Sequence, residues 1–237
     1  MHDLPLLYID LHLKFLNKNV LLFDLDGTLV DSVPDLASAV NKTLIELGRT
    51  PFNEEIIRGW VGNGAKVLIQ RALSGSDEVL TDLSEVQLER ALEIFFKAYQ
   101  LGVCINTKLY TGVLDTLTAL KAAGYRLAII TNKPERFVGP IVNNLALNGL
   151  FELIIGGDTL EKSKPDPLPL YHAVSALAVT AEQCVMIGDS KNDILAAKAA
   201  NIDSVGLTYG YNYGEDIAKY HPELVLDNFA NLLHALT

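Results

Sequence analysis

Residues 20–28 read VLLFDLDGT, in which the apolar run Val20–Phe23 is followed at once by Asp24, Asp26, Gly27 and Thr28. A short apolar run bounded by polar residues is typical of a buried strand. In an open parallel sheet, ligands bind beyond the carboxyl ends of the strands. The polar residues after this predicted strand are therefore the first place to look for a functional site.

Short apolar runs of the same kind recur along the chain. They predict strands at Arg126–Ile130, Leu153–Ile155, Cys184–Ile187, Ser204–Leu207 and Leu224–Leu226. Segments with apolar residues three and four apart separate most of these runs and predict helices at Gly112–Ala123, Glu135–Leu145, Pro167–Leu177, Lys191–Ala200 and Asn228–Leu236. The alternation predicts a doubly wound α/β fold, in which helices cover both faces of a Rossmann-like parallel sheet.

The segment between the first two predicted strands is far longer than a single crossover needs. Its periodic runs predict helices only, at Leu36–Leu47, Ala65–Leu73 and Glu85–Tyr99. We therefore expect residues 33–102 to form a helical cap domain inserted after the first strand. Residues 1–32 and 103–237 would form the core, with residues 1–19 as an N-terminal extension, and the two linkers would allow hinge motion.

Composition limits the partners of the chain. Asp and Glu number 29 against 19 Lys and Arg, which gives a formal charge of -10 and argues against nucleic acid or an anionic membrane as partner. No stretch approaches the ~20 apolar residues of a membrane helix, and the first nineteen residues lack the basic start of a signal peptide. Cys104 and Cys184 show no metal-ligand spacing. We expect a cytoplasmic protein, either monomer or homodimer.

Polar residues follow several of the predicted strands. They are Asp24, Asp26, Thr131, Lys164, Asp189 and, four residues after Asp189, Asp193. Each alone has an ordinary interpretation, since an Asp at a strand end usually forms a turn or caps a helix. Three or more converging carboxylates repel one another unless protons or a metal intervene. The set therefore predicts a hard divalent cation such as Mg²⁺, beside which a carboxylate can act as a nucleophile.

Four motifs carry a family resemblance. They are residues 23–32 (FDLDGTLVDS), 131–134 (TNKP), 164–167 (KPDP) and 188–193 (GDSKND). Together they resemble the four ordered motifs of the haloacid dehalogenase superfamily, and the helical insertion is similar to its mobile cap. Residues 59–64 (GWVGNG) and 206–214 (GLTYGYNYG) resemble the bacterial phosphoglycolate phosphatases within that superfamily.

The resemblance implies a Mg²⁺-dependent phosphatase that hydrolyses a small phosphate monoester, 2-phosphoglycolate above others, through an aspartyl-phosphate. It implies that Asp24 attacks phosphorus and that Asp26 protonates the leaving oxygen and then activates water. Asp24 and Asp189 would bind the metal through their side chains, and Asp26 through its backbone carbonyl.

The remaining motif residues are expected to serve the phosphoryl group. Thr131 and Asn132 would hold its oxygens, and Lys164 would offset charge on it and on the nucleophile. Asp193 would orient Lys164 or a metal-bound water.

The cap segment offers candidates for recognition of the leaving group. Amides at the turn Gly62, Asn63 and Gly64 could receive a small carboxylate, aided by a cation from Arg58 or Lys66. Tyr209, Tyr211 and Tyr213 alternate in a glycine-rich loop, where they could either rim the pocket or cover the sheet.

Two other functions remain open at this point. In a phosphomutase, the aspartyl-phosphate would return its group to a sugar, which burst and exchange kinetics would reveal. A non-catalytic phosphate-binding module is disfavoured, because binding alone needs neither Asp24 nor Asp26 beside a metal.

Overall fold

The computed structural model describes residues 15–79 and 83–236. Residues 1–14 of the predicted N-terminal extension lie outside the described residues. The strands in the described part are β1 (Val20–Phe23), β2 (Val30–Asp31), β3 (Lys108–Leu109), β4 (Arg126–Ile130), β5 (Phe151–Ile155), β6 (Cys184–Gly188), β7 (Asp203–Leu207) and β8 (Leu224–Leu226). Six of them form one sheet in the order β5-β4-β1-β6-β7-β8.

Strand β1 lies at the centre of this sheet, parallel to both of its neighbours. Val20 is paired with Arg126 of β4 on one side and with Cys184 of β6 on the other. All four β1 residues are buried, which explains why the strand has no polar face. The pairings of β5, β7 and β8 are also parallel.

The chain between β2 and β3 is helical where it is described. Its helices are α1 (Val33–Glu46), α2 (Glu54–Arg58), α3 (Gly64–Ser74) and α4 (Glu85–Gly102). Their buried side chains, Phe95 among them, form a hydrophobic cluster distinct from the two clusters of the main sheet, and Phe137 and Tyr211 join it from outside the insertion. The short α2 was not predicted, and neither was the antiparallel pair of β2 and β3, in which Val30 is opposite Leu109.

Five α-helices follow β3 in the described part of the chain and cover both faces of the main sheet. They are α5 (Val113–Ala122), α6 (Glu135–Asn144), α7 (Leu168–Ala176), α8 (Lys191–Ala199) and α9 (Asn231–Leu236). Helices α5, α6 and α9 pack on the face that carries Leu21 and Phe23, while α7 and α8 pack on the face of Val20 and Leu22. The prediction of a doubly wound α/β fold is confirmed.

The two chain segments that enter and leave the helical insertion are joined by one buried carboxylate. Asp35, in the first turn of α1, accepts hydrogen bonds from the backbone N–H of Asn106 and Thr107 at 2.9 Å each. The Thr107 hydroxyl donates a further bond to Asp35 at 2.6 Å. Of the described helices, none is both long and apolar enough to cross a membrane.

Candidate active site

Three carboxylates converge at the carboxyl ends of β1 and β6. One carboxylate oxygen from each of Asp24, Asp189 and Asp193 lies within 4.8 Å of those of the other two, and all three residues are buried. Burial, with a further contribution from the neighbouring Asp193, raises the pKa of Asp24 to about 6 against an opposing effect of Lys164. Burial and the charge of Asp24 also raise the pKa of Asp189 well above its usual range.

This carboxylate cluster fits a divalent metal ion. Close, buried carboxylates carry a strong electrostatic cost, which their raised pKa values express. A hard divalent cation relieves that cost and prefers oxygen ligands of this kind. The donor set of the site therefore suits a divalent cation.

Lys164 is the cation nearest to Asp24. Its ammonium lies 2.9 Å from Asp24 Oδ1, 2.6 Å from Asp193 Oδ1 and 2.5 Å from the carbonyl oxygen of Ile130. Burial alone would lower its pKa, but the Asp193 and Asp24 carboxylates raise it, so the side chain is protonated. Asp193 is itself held by Ser190, whose N–H and hydroxyl donate to its Oδ2 at 3.0 and 2.8 Å.

Asp189 is enclosed by backbone. The Thr28 hydroxyl donates to its Oδ1 and the Tyr211 N–H to its Oδ2, both at 2.6 Å. A Cβ placed on Gly27, whose φ is +94°, would lie 2.3 Å from Asp189 Oδ2, and a Cβ on Gly210 would lie 2.2 Å from the same atom. Both positions need glycine because no side-chain carbon fits there.

Asp26 has an ion-pair partner that the sequence did not reveal. The ammonium of Lys133 lies 3.0 Å from each carboxylate oxygen of Asp26, and the Ser32 hydroxyl donates to Oδ1 at 2.6 Å. Lys133 belongs to the TNKP motif, but Asp26 is 107 residues away in sequence. Local spacing gives no sign of such a contact.

Thr131 and Asn132 follow β4 directly, and both are buried at the edge of the site. The Asn132 side-chain amide donates to the carbonyl oxygens of Lys164 at 2.8 Å and of Gly62 at 3.0 Å. Its Oδ1 is buried and has no hydrogen-bond donor within the described part of the chain. Asn132 thus connects the sheet edge to the loop before α3.

A cavity of about 40 Å³ lies between this sheet edge and helices α3 and α4. Its polar walls come from Asp24, Asp26, Thr131, Asn132, Lys133, Lys164, Ser190 and Asp193. The opposite wall is largely apolar and includes Val61, Leu68, Phe95 and Tyr99. The space suits a small polar ligand.

Of the residues of the cap segment that were predicted to recognise the leaving group, some line the cavity and others lie outside it. Gly62 and Gly64 line the cavity, and Asn63 lies between them in sequence. Arg58 lies outside the cavity wall, with its guanidinium 2.9 Å from Asp31 and 2.9 Å from Glu54. Lys66 is exposed and also lies outside the wall.

The three tyrosines of the glycine-rich loop form hydrogen bonds with residues around the site but do not line the cavity. Tyr209 donates to the Thr28 carbonyl at 2.8 Å, and Tyr211 donates to Asp31 at 2.5 Å. Asn192 donates to the Tyr213 hydroxyl at 3.1 Å. All three side chains lie outside the cavity wall, so of the two open interpretations the structure favours packing over a pocket rim.

Comparison with known proteins places this site in a family. The sequence profile of the haloacid dehalogenase-like hydrolases matches residues 21–207, which include all four motifs. The phosphoglycolate phosphatase of Colwellia psychrerythraea is 61% identical over 94% of this chain and 99% of its own. That of Psychrobacter arcticus is 47% identical over 93% of this chain and 96% of its own.

Solved structures agree with these sequence matches. A predicted phosphoglycolate phosphatase from Haemophilus somnus superimposes with a TM-score of 0.87 at 39% identity, covering 93% of this chain and 99% of that one. CbbY from Rhodobacter sphaeroides, solved with phosphate, superimposes with a TM-score of 0.74 at 29% identity, covering 92% and 99%. The chain therefore belongs to the haloacid dehalogenase-like hydrolase family.

Proposed function

We propose that the chain hydrolyses 2-phosphoglycolate to glycolate and phosphate through an aspartyl-phosphate, with Mg²⁺ as its metal. It is a phosphatase, a hydrolase of phosphoric monoesters, as its relatives are. The observation that carries the mechanism is the buried Asp24 carboxylate, which lies beside Asp189 and 2.9 Å from the Lys164 ammonium.

Asp24 is the proposed nucleophile. Its position directly after the central strand fixes the carboxylate at the cavity wall, where it can attack phosphorus. The bond between phosphorus and the leaving oxygen breaks as the Asp24 oxygen bonds to phosphorus. Lys164 neutralises charge on both the nucleophile and the phosphoryl group.

Asp26 is the proposed general acid and base. Its carboxylate also lines the cavity, as does that of Asp24, from which Leu25 alone separates it in the chain. It gives a proton to the leaving oxygen and later takes one from the water that hydrolyses the aspartyl-phosphate.

The phosphoryl oxygens are assigned to donors at the end of β4. Thr131 and Asn132 line the cavity together with Asp24, and the assigned donors are the Thr131 hydroxyl and the backbone N–H of Asn132. Preorganised donors of this kind stabilise the charge that develops on a transferring phosphoryl group.

The proposed Mg²⁺ ligands are the side chains of Asp24 and Asp189 and the backbone carbonyl of Asp26. Asp193 supports them by holding Lys164 at 2.6 Å. The metal, when bound, offsets the negative charge of the phosphoryl group and of the attacking carboxylate.

We assign residues 33–102 to a cap domain and residues 1–32 and 103–237 to the core. The hydrophobic cluster formed mainly by helices α1–α4 supports this division. A cavity of about 40 Å³ beneath α3 and α4 favours a leaving group as small as glycolate. Gly62, Asn63 and Gly64 precede or begin α3, so their amides are placed for an anionic group at the helix N-terminus.

We further place the chain in the cytoplasm, as a monomer or homodimer without nucleic-acid or membrane partners. Cys104 and Cys184 are both free thiols, which suits a reducing compartment. The net charge of -10 disfavours polyanionic surfaces.

A substrate panel with Mg²⁺ tests the proposed function. Phosphate release should give the highest kcat/KM with 2-phosphoglycolate, ahead of sugar phosphates and aryl phosphates, and chelation should abolish it. The matched control is Asp24→Asn, which keeps side-chain size and removes the nucleophile. Transfer of the phosphoryl group within a sugar phosphate, without release of phosphate, would identify a mutase instead.

A further inference from the structure

Two buried lysines line the cavity, and their surroundings differ. The Lys164 ammonium has three acceptors within 2.9 Å, two carboxylates and one carbonyl. The Lys133 ammonium contacts one carboxylate, that of Asp26, and lies 4.8 Å from the centre of the Tyr99 ring. Lys133 therefore retains the capacity to bind a further anion, whereas Lys164 is saturated.

Tyr99 supplies a second, independent sign of a ligand. Only 1% of this residue is exposed, it lines the cavity, and its hydroxyl has no hydrogen bond of good geometry with the described residues. The hydroxyl interacts electrostatically with the neighbouring Lys133 ammonium, but a buried hydroxyl without a well-aligned hydrogen bond is costly. A ligand group placed beside Lys133 would give it one.

The start of α3 adds positive potential to the same region. Gly64 and Ala65 line the cavity, and the Asn63 side chain makes no capping hydrogen bond to the first turn of this eleven-residue helix. The first N–H groups of a helix attract anions when no side chain caps them.

The position of Lys133 matches the chemistry of a short carboxylated ester. Asp26, the proposed donor to the leaving oxygen, lies 3.0 Å from the Lys133 ammonium. In 2-phosphoglycolate one methylene separates the ester oxygen from the carboxylate carbon, so the carboxylate oxygens lie only about 3 Å from the ester oxygen. A cation next to Asp26 therefore reaches the carboxylate when Asp26 reaches the ester oxygen.

We propose that Lys133, with the Tyr99 hydroxyl, binds the carboxylate of the leaving group and makes the enzyme specific for carboxylated phosphate esters. This inference rests on the proposed function, because it names the residue that recognises the glycolate part of that substrate. The geometry favours Lys133 over Arg58 and Lys66, which lie outside the cavity wall. Lys133 is a binding residue in this scheme, and Asp26 keeps the proton transfer.

The test compares two substrates that differ only in the proposed contact. 2-Phosphoglycolate carries the carboxylate, and 2-hydroxyethyl phosphate replaces it with an uncharged hydroxymethyl group. Lys133→Met should lower kcat/KM for 2-phosphoglycolate by about 100-fold or more relative to 2-hydroxyethyl phosphate. Lys133→Arg should retain most of the preference, and Tyr99→Phe should reduce it severalfold. The matched control is Lys198→Met, at an exposed position, and it should leave kcat/KM unchanged for both esters.

The ratio of the two kcat/KM values separates binding from a structural role. Both esters need Asp26, so damage through Asp26 or through folding lowers both rates together and leaves the ratio unchanged. An unchanged ratio in Lys133→Met would overturn the inference. A wild-type preference for another carboxylated ester, lost in Lys133→Met, would support the role of Lys133 and reject 2-phosphoglycolate as the substrate. A wild-type enzyme indifferent to the carboxylate would overturn the inference as well.

Discussion

Replacement of Asp24 by Asn should abolish turnover and stabilise the metal-free protein. Burial raises the pKa of Asp24 to about 6, against an ordinary value of 3.8. Each pKa unit corresponds to about 1.4 kcal/mol, so ionised Asp24 costs the folded state about 3 kcal/mol. The Asn side chain removes that charge, and the attraction to Lys164 that is lost with it is already included in the raised pKa. We expect a net gain of about 3 kcal/mol.

The sign of the pH dependence follows from the raised pKa. A carboxyl that binds its proton more tightly in the folded state destabilises that state above its folded pKa and has no effect below its unfolded pKa. The advantage of Asp24→Asn should thus be absent below about pH 4, grow between pH 4 and 6, and be complete above pH 6.

Thermal unfolding in chelator at pH 7.5 and at pH 4 measures this effect. For a chain of this length, about 3 kcal/mol corresponds to a rise in Tm of about 6 to 12 °C. Mg²⁺ should raise the Tm of the wild type more than that of the variant, which lacks one charged ligand. The exposed Asp227→Asn serves as a control and should stay within about 0.5 kcal/mol of the wild type. The reasoning would be refuted if metal-free Asp24→Asn had a lower Tm than the wild type at pH 7.5. It would also be refuted if the difference in Tm between variant and wild type were the same at both pH values.

Three further outcomes are expected. Asp26→Asn should slow both formation and hydrolysis of the phosphorylated intermediate, because an amide neither donates the leaving-group proton nor accepts one from water; normal single-turnover rates at saturating Mg²⁺ would contradict this role. Ca²⁺ should inhibit the enzyme and Mg²⁺ should activate it, because Ca²⁺ takes more oxygen ligands at longer distances and so occupies the Asp24 oxygen needed for attack. Equal steady-state rates of phosphate release with the two ions would contradict this expectation. Asp35→Ala should lower the free energy of unfolding by about 3 kcal/mol, since the N–H groups of Asn106 and Thr107 lose their acceptor; a loss below about 1 kcal/mol in chemical denaturation would speak against it.

Most of the fold could be predicted from sequence, because the buried parallel strands are continuous apolar runs. Val20–Phe23 and Arg126–Ile130 have the same bounds in the structure as in the prediction. The two-residue strands β2 and β3 were missed, since two residues carry no periodicity and their pairing depends on residues far apart in sequence. The last helix begins at Asn231, three residues later than predicted, because the Asn228 side chain accepts from the Ala230 N–H and forms a turn there.

The site, like the fold, has parts that could be predicted from the sequence and parts that could not. Residues at strand ends, such as Asp24 and Asp189, could be found because the topology of a parallel sheet brings strand ends together. The ion pair between Lys133 and Asp26 could not be predicted from the sequence, since a lysine in a polar motif resembles any surface lysine. Sequence spacing likewise did not show that Arg58 pairs with Asp31 across the base of the insertion. Such contacts depend on where helices and loops finally pack.

The backbone that encloses Asp189 limits any redesign of this site. Gly27 and Gly210 approach the same carboxylate oxygen from segments far apart in the chain, each leaving no room for a methyl group. An engineer who wishes to admit a bulkier substrate or a different ion cannot gain space by varying these two positions. Every larger residue there displaces the carboxylate itself. New specificity has to be sought on the opposite, largely apolar wall, where Val61, Leu68 and Phe95 offer side chains that can be shortened.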